Sequence, residues 1–226
     1  MSHNIYDALS APAYSNAEAS RLTRLTRWRV ARWMQGYRYA GKEYRPVIRR
    51  EGDGQSPYVS FLDLIDMLFV RRFVERGFSI PHLRKALKEA REYLGTPHFA
   101  RNTFFTSSEK IILQMPQDGS MVALLTGGQQ AIRDLVKQVF PKLDFEDVTE
   151  HGFVNRWYPD GRDGHILIDP LICFGRPTIK GRSIATENVY DLYRGENERV
   201  EPVQQWFGLP VPEIQAAIRF EAALAR

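Results

Sequence analysis

Between residues 21 and 33 the chain sets five arginines, Arg21, Arg24, Arg27, Arg29 and Arg32, among Leu22, Leu25, Trp28, Val30 and Trp33. Such a segment is stable only if it buries the apolar groups on one side and keeps the guanidinium groups wet, because an unpaired buried charge is costly. Helical spacing achieves this. The sequence predicts two short helices here. Ser15, with Glu18 three residues later, is a capping box opening a helix over residues 14–23, with Ala17, Ala19 and Leu22 as its apolar side. Thr26 caps a second over residues 27–35, which Gly36 ends. Trp28, Val30, Ala31, Trp33 and Met34 are its expected apolar positions, and Arg27, Arg29 and Arg32 its outer ones.

Residues 1–13 are small and polar and read as a loose arm. Residues 44–50 have strand character, residues 51–54 supply a Gly-containing turn, and residues 58–61 return, which predicts a hairpin. Ser60 or Asp63 opens a strong helix over 61–76, with Leu62, Ile65, Leu68, Phe69 and Phe73 at three- and four-residue steps. Ser79 caps another, which runs to about Leu94. Residues 95–97 read as a hinge. Short apolar runs at 104–106, 110–115 and 121–125 predict strands, residues 129–139 a helix, and 153–158 and 165–168 further strands. Residues 186–193, 200–206 and 212–225 read as three helices. The expected fold is mainly α with small β elements (α+β): a winged DNA-binding domain at 1–95, a mixed linker or dimerisation region at 96–168, and a trihelical domain at 169–226.

Charge follows this division. Residues 1–95 hold 17 Lys and Arg against 10 Asp and Glu, and the remainder 14 against 17, within a net charge of +4. The basic part therefore suits a polyanion, and the rest has another task. Two short helices followed by a β-ribbon can place one helix in a major groove and the ribbon along the backbone. Arg24, Thr26, Arg27, Arg29 and Arg32 are the candidate DNA-contacting residues of the helix pair, and Arg45, Arg49 and Arg50 those of the ribbon. Arginine forks grip phosphates or read guanine edges, and the sequence alone does not divide those roles.

The order of residues from Tyr14 through Arg24-Leu-Thr-Arg-Trp-Arg-Val-Ala-Arg-Trp33 resembles the opening of MerR-type regulators. Residues 45–58 resemble their wing, and Phe61-Leu-Asp-Leu-Ile65 and Arg76-Gly-Phe-Ser-Ile80 the two following helices. The resemblance covers about 80 residues. Thr23 stands where a turn glycine is common, and no heptad run follows Leu94, so the long dimerisation helix of that family is missing.

A second pattern lies downstream. Gly175-Arg-Pro177, Ile179-Lys-Gly-Arg182, Ile184, Gly195 and the helix pair ending in 214–220 resemble domain-of-unknown-function family 433, over about 60 residues. With the MerR-like front, the whole chain resembles long VapB-type antitoxins. That resemblance implies double-stranded operator DNA and a PIN-like ribonuclease toxin as partners. Arg176, Lys180 and Arg182 are the candidate partner-binding residues, either reaching an acidic toxin site or making second-site phosphate contacts. Since one recognition helix gives modest affinity, a homodimer is expected, with 104–125 and the C-terminal helices as candidate interfaces.

No catalytic set is legible. The five histidines form no metal spacing, Gly127–Gly128 lacks the rest of a phosphate loop, and Asp144, Glu146, Asp147 and Glu150 read as a solvated acidic loop. The expectation is no enzyme, no metal and no cofactor. The lone Cys173 fits a reducing compartment and reads as a small core residue. No run approaches the ~18 apolar residues of a membrane span, so a cytoplasmic protein is expected. The alternatives are a free-standing MerR-like regulator sensing a small ligand through 96–168, and a scaffold with no DNA contact.

Overall fold

The computed structural model describes residues 2–48, 56–94, 98, 139–145 and 152–225. Its helices and small antiparallel strand pairs match the expected mainly α class. The chain forms two compact units, Met1–Phe140 with Phe145–Val154, and Pro141–Asp144 with Asn155–Arg226.

The first unit is organised on one buried helix. Helix α4, Phe61–Glu75, has Phe61 through Met67 buried in succession, with Phe69, Val70 and Phe73 beyond them. A helix apolar on nearly every side belongs in the middle of a core. Ser60 starts it: Asp63 N–H donates to Ser60 Oγ at 3.1 Å, and Ser60 N–H to Asp63 Oδ2 at 2.9 Å. Helices α1 (Ser2–Ser10), α2 (Asn16–Thr23) and α5 (Ile80–Leu94) pack on it, and α3 (Arg27–Gln35) packs on α2. The capping box at Ser15 and Glu18 forms as read from the sequence.

Two expectations are corrected. The arm is not loose, because Leu9 is buried, Ile5 and Tyr6 are half-buried, and these residues share one face of α1. Strand β1, Pro12–Tyr14, follows α1, so α2 begins after Tyr14. Among the described residues, the pairing expected between 44–48 and 58–61 is not made, and residues 49–55 lie outside them. Instead β2 (Tyr37–Tyr39) pairs with β3 (Lys42–Tyr44), and β4 (Val59–Ser60) pairs with β1. Val59 and Tyr14 are both buried, so β4 follows its apolar residue to the arm.

The second unit packs three helices, α6 (Thr186–Gly195), α7 (Val200–Phe207) and α8 (Val211–Leu224), on a small β layer. Ile166, Ile179, Val189, Val203, Leu209 and Ile214 form its core. Strand β7 (Ile166–Leu167) pairs with β8 (Thr178–Ile179), and Trp157 of β6 (Val154–Trp157) bridges Ile168. Residues 155–168, expected with the middle region, therefore group with the helices, because Ile166 enters their core. Thr186 Oγ1 donates to Glu221, joining α6 to α8 through two buried side chains. Lys142 and Asp144, in and beside the short strand β5 (Leu143–Phe145), meet the loop after β6: Tyr158 O–H donates to Asp144 at 2.7 Å, and Arg162 pairs with Asp144 at 2.8 Å.

The strands expected at 104–125, most of the helix at 129–139, and Glu146, Asp147 and Glu150 lie outside the described residues. Among the described residues no helix is long and apolar enough to cross a membrane.

Candidate nucleic-acid interface

Helices α2 and α3 meet at a three-residue turn. Arg24 closes α2 with φ 54°, Leu25 is buried, and Thr26 caps α3, its Oγ1 accepting from Arg29 N–H at 3.3 Å. Arg71 of α4 donates to Thr23 O at 2.6 Å, fixing the end of α2 on the core helix. Helix α3 buries Val30, Trp33 and Met34. Arg24, Thr26, Arg27, Trp28 and Arg29 are all exposed. The first turn of α3 thus presents an indole flanked by two arginines.

Trp28 departs from expectation: it is 62% exposed, whereas Trp33 is buried. At 100° per residue, Trp28 lies roughly 160° around the helix from Val30, while Trp33 and Met34 lie within about 60° of it. Only the latter pair can share the buried face.

The β2–β3 hairpin follows directly. Gly36 leads into it at φ 73°, where an added Cβ would sit 2.3 Å from Tyr44 O. Only glycine fits there. Tyr37 and Tyr44 face each other across the hairpin as stacked rings, 4.5 Å apart and 6° from parallel. The guanidinium of Arg32 lies between Trp28, 4.0 Å from its ring centre, and Tyr37, 3.1 Å from its centre. Arg84 of α5 lies 5.9 and 5.8 Å from the ring centres of Tyr37 and Tyr44 and donates to Arg45 O at 2.6 Å. A cleft of about 310 Å³ opens among α3, the hairpin and α5, with Trp28, Arg32, Tyr37 and Arg84 in its walls. Cation–ring contacts from Arg32 and Arg84 thus tie the ribbon to both α3 and α5.

Of the ribbon cations expected from the sequence, Arg45 is exposed just after β3, while Arg49 and Arg50 lie outside the described residues. The hairpin contributes two that sequence reasoning missed, Arg38 and Lys42, both exposed, near a tip where Tyr39 is also exposed. The alternation Tyr37-Arg-Tyr39 and Lys42-Glu-Tyr44 was their signal.

In the second unit the expected partner residues have different surroundings. Lys180 donates to Arg162 O and lies 5.5 Å from the Tyr158 ring centre. Arg182 faces Glu213 at 3.7 Å. Arg176 is exposed, with Nε 3.4 Å from Cys173 O. It follows a one-turn 3-10 segment, Cys173–Gly175, in which Cys173 and Phe174 adopt positive φ of 48° and 56°. Cys173 is half-buried on this loop and absent from the helical core. Phe174 is 85% exposed and Leu171 65%. Two successive left-handed non-glycine residues are costly and cluster at functional loops.

A protein-family model described as "Protein of unknown function (DUF433)" matches residues 166–220, which run from β7 into α8. The expected family-433 character of the C-terminal segment holds there. Over nearly its full length the chain is similar to two proteins of Mycobacterium tuberculosis. It is 25% identical to "Uncharacterized protein Rv2308" over 231 residues, covering 96% of this chain and 93% of that protein. It is 20% identical to "Putative antitoxin VapB45" over 229 residues, covering 94% and 95%. Among solved structures, the crystal structure of Rv2018 from the same organism aligns with TM-score 0.66 over 92% of this chain and 98% of that one, at 17% identity. That likeness speaks for the fold alone.

Proposed function

We propose that this protein is the antitoxin of a toxin–antitoxin pair, binding duplex operator DNA through a MerR-like winged helix-turn-helix. The observation that carries the DNA-binding part is the exposed first turn of α3, where Arg27, Trp28 and Arg29 stand beside Arg24 and Thr26. Helix α3 has the length and the two-sided character of a recognition helix, and β2–β3 takes the role of the wing. Arg38, Lys42 and Arg45 then lie along the phosphates, and Arg27 and Arg29 enter the groove. Arg32, held between two rings, acts by fixing the wing.

The antitoxin part draws on the full-length similarity to a protein named as an antitoxin and on the family-433 segment. The partner in this reading is a toxin, and the resemblance to VapB-type antitoxins supports a PIN-like ribonuclease in that role. The protein works by binding, with no catalytic step of its own. Arg176 with Phe174 is the best-placed partner contact of the second unit, because Lys180 and Arg182 are engaged within it.

A gel-shift titration with the DNA immediately upstream of the reading frame tests the first part. Affinity should fall steeply with salt, as counterions leave the neutralised phosphates. Replacing Arg38 and Lys42 with alanine should weaken all sequences alike and flatten the slope of log K against log salt by about two. No binding at low salt would sink the reading. For the second part, the neighbouring reading frame is expressed with and without this protein. Wild type should rescue growth, and the double variant Phe174→Ala, Arg176→Ala should not, while still shifting operator DNA.

A further inference from the structure

Trp28 is a large apolar side chain held out in water. A loose surface tryptophan would fold down over neighbouring apolar groups. Here the Arg32 guanidinium lies against its ring, with Tyr37 behind, so the indole is backed and held at the start of α3. Its neighbours on the exposed side, Arg24, Arg27 and Arg29, are cations that repel one another and would draw a polyanion over the indole.

The chemistry of an indole selects among base pairs. Its body is apolar, and its one polar group, Nε1–H, donates and cannot accept. In the major groove, cytosine offers a donor, which an indole N–H opposes. Guanine offers two acceptors, the match for an arginine fork. Thymine alone offers an acceptor, O4, beside a methyl group. An apolar surface carrying one donor is the complement of that pair.

We infer that Trp28 is a specificity-determining residue that reads thymine in the major groove, by packing on the 5-methyl group and donating to O4, with Arg32 and Tyr37 as its positioning residues. This rests on the DNA-binding reading and adds to it a base and a group on that base. Arg27 and Arg29 then supply the guanine and phosphate contacts on either side, and removing Trp28 changes which sequence is preferred more than how strongly DNA as a class is held.

The test removes the methyl group and keeps the hydrogen-bonding edge. The upstream duplex is prepared with thymine and, separately, with deoxyuridine in its place. Both are titrated with the full-length wild type, Trp28→Ala, Trp28→Phe and, as a control, Arg38→Ala. Circular dichroism melts confirm that each variant is folded. Wild type should bind the deoxyuridine duplex about fourfold more weakly for each methyl group that the indole would have covered. Trp28→Ala should bind both duplexes equally, because the group that sensed the methyl is gone. Trp28→Phe should keep the methyl preference and lose affinity for both duplexes through the missing donor. Arg38→Ala should keep the full wild-type preference. If wild type binds both duplexes equally, or if Trp28→Ala retains the preference, the thymine assignment is overturned while the DNA-binding reading stands. If wild type binds neither duplex at low salt, both fall.

Discussion

Arg32 shows how one residue's chemistry depends on what it touches. Its periodicity puts it with the outer arginines, yet its guanidinium is spent between two rings. Replacing Arg32 with alanine should lower stability by about 1 kcal/mol and, on the proposed reading in which it neutralises no phosphate, weaken DNA binding yet leave the salt slope unchanged. Lysine should not restore it, since a point charge does not stack as a planar fork does. Arg27→Ala should instead relax the base preference at one operator position, by about 1–3 kcal/mol. The placement of Trp28 was available from angular arithmetic over the nine residues of α3, but hydrophobicity alone argued for the wrong side. A second residue-scale effect lies in the core. His98 Nδ1 is 3.0 Å from Asp66, and both are buried, near Asp63 and Arg91. Burial opposes the charged imidazole, but the hydrogen bond and charge of Asp66, with Asp63, outweigh it and raise the His98 pKa above its ordinary value. A raised folded-state pKa stabilises fully below the unfolded value and is lost as pH rises through the folded one. Melting temperature should therefore fall on going from mildly acidic to alkaline pH, and His98→Gln should flatten that dependence.

Elements divide by how local their causes are. Helices α2 to α5 were legible because caps, spacing and stops lie within a few residues of one another. The β2–β3 hairpin was not. Its turn residues, Ala40 and Gly41, both take positive φ, at 49° and 74°. Tight hairpins require this, but alanine does not advertise it as Asn or Asp would. The β1–β4 pair was hidden for another reason, since a distant partner strand leaves no periodic mark on the residues between. Gly36 is where the hairpin meets α3. Gly36→Ala should cost about 2–4 kcal/mol in a denaturant melt, combining a strained φ with a Cβ pressed on the Tyr44 carbonyl. Because the clash lies at the hinge of the wing, any folded fraction should bind DNA with a reduced salt slope.

At the scale of the molecule, charge is divided unevenly along the sequence. The excess of cations lies in the residues that carry α2, α3 and the hairpin, and the family-433 segment lies in the less basic remainder. The boundary was misplaced in the sequence because a strand's partner decides its allegiance: β7 precedes residue 169 yet pairs with β8. On the proposed reading each protomer offers one recognition helix and a long operator needs two, so light scattering should give the mass of a dimer at micromolar concentration. A strict monomer, alone and with DNA, would contradict this.

The ladder of Trp28, Arg32 and Tyr37 also constrains how such a chain can diverge. Each member is held by its neighbour, so a change at one removes the reason for the next. A lineage that exchanges Arg32 for a small residue frees position 37 from any need for a ring, and lets position 28 drift toward a residue suited to a different base. Across relatives these three positions should change together, and the operators they recognise should change in step, while the glycine at position 36 stays fixed.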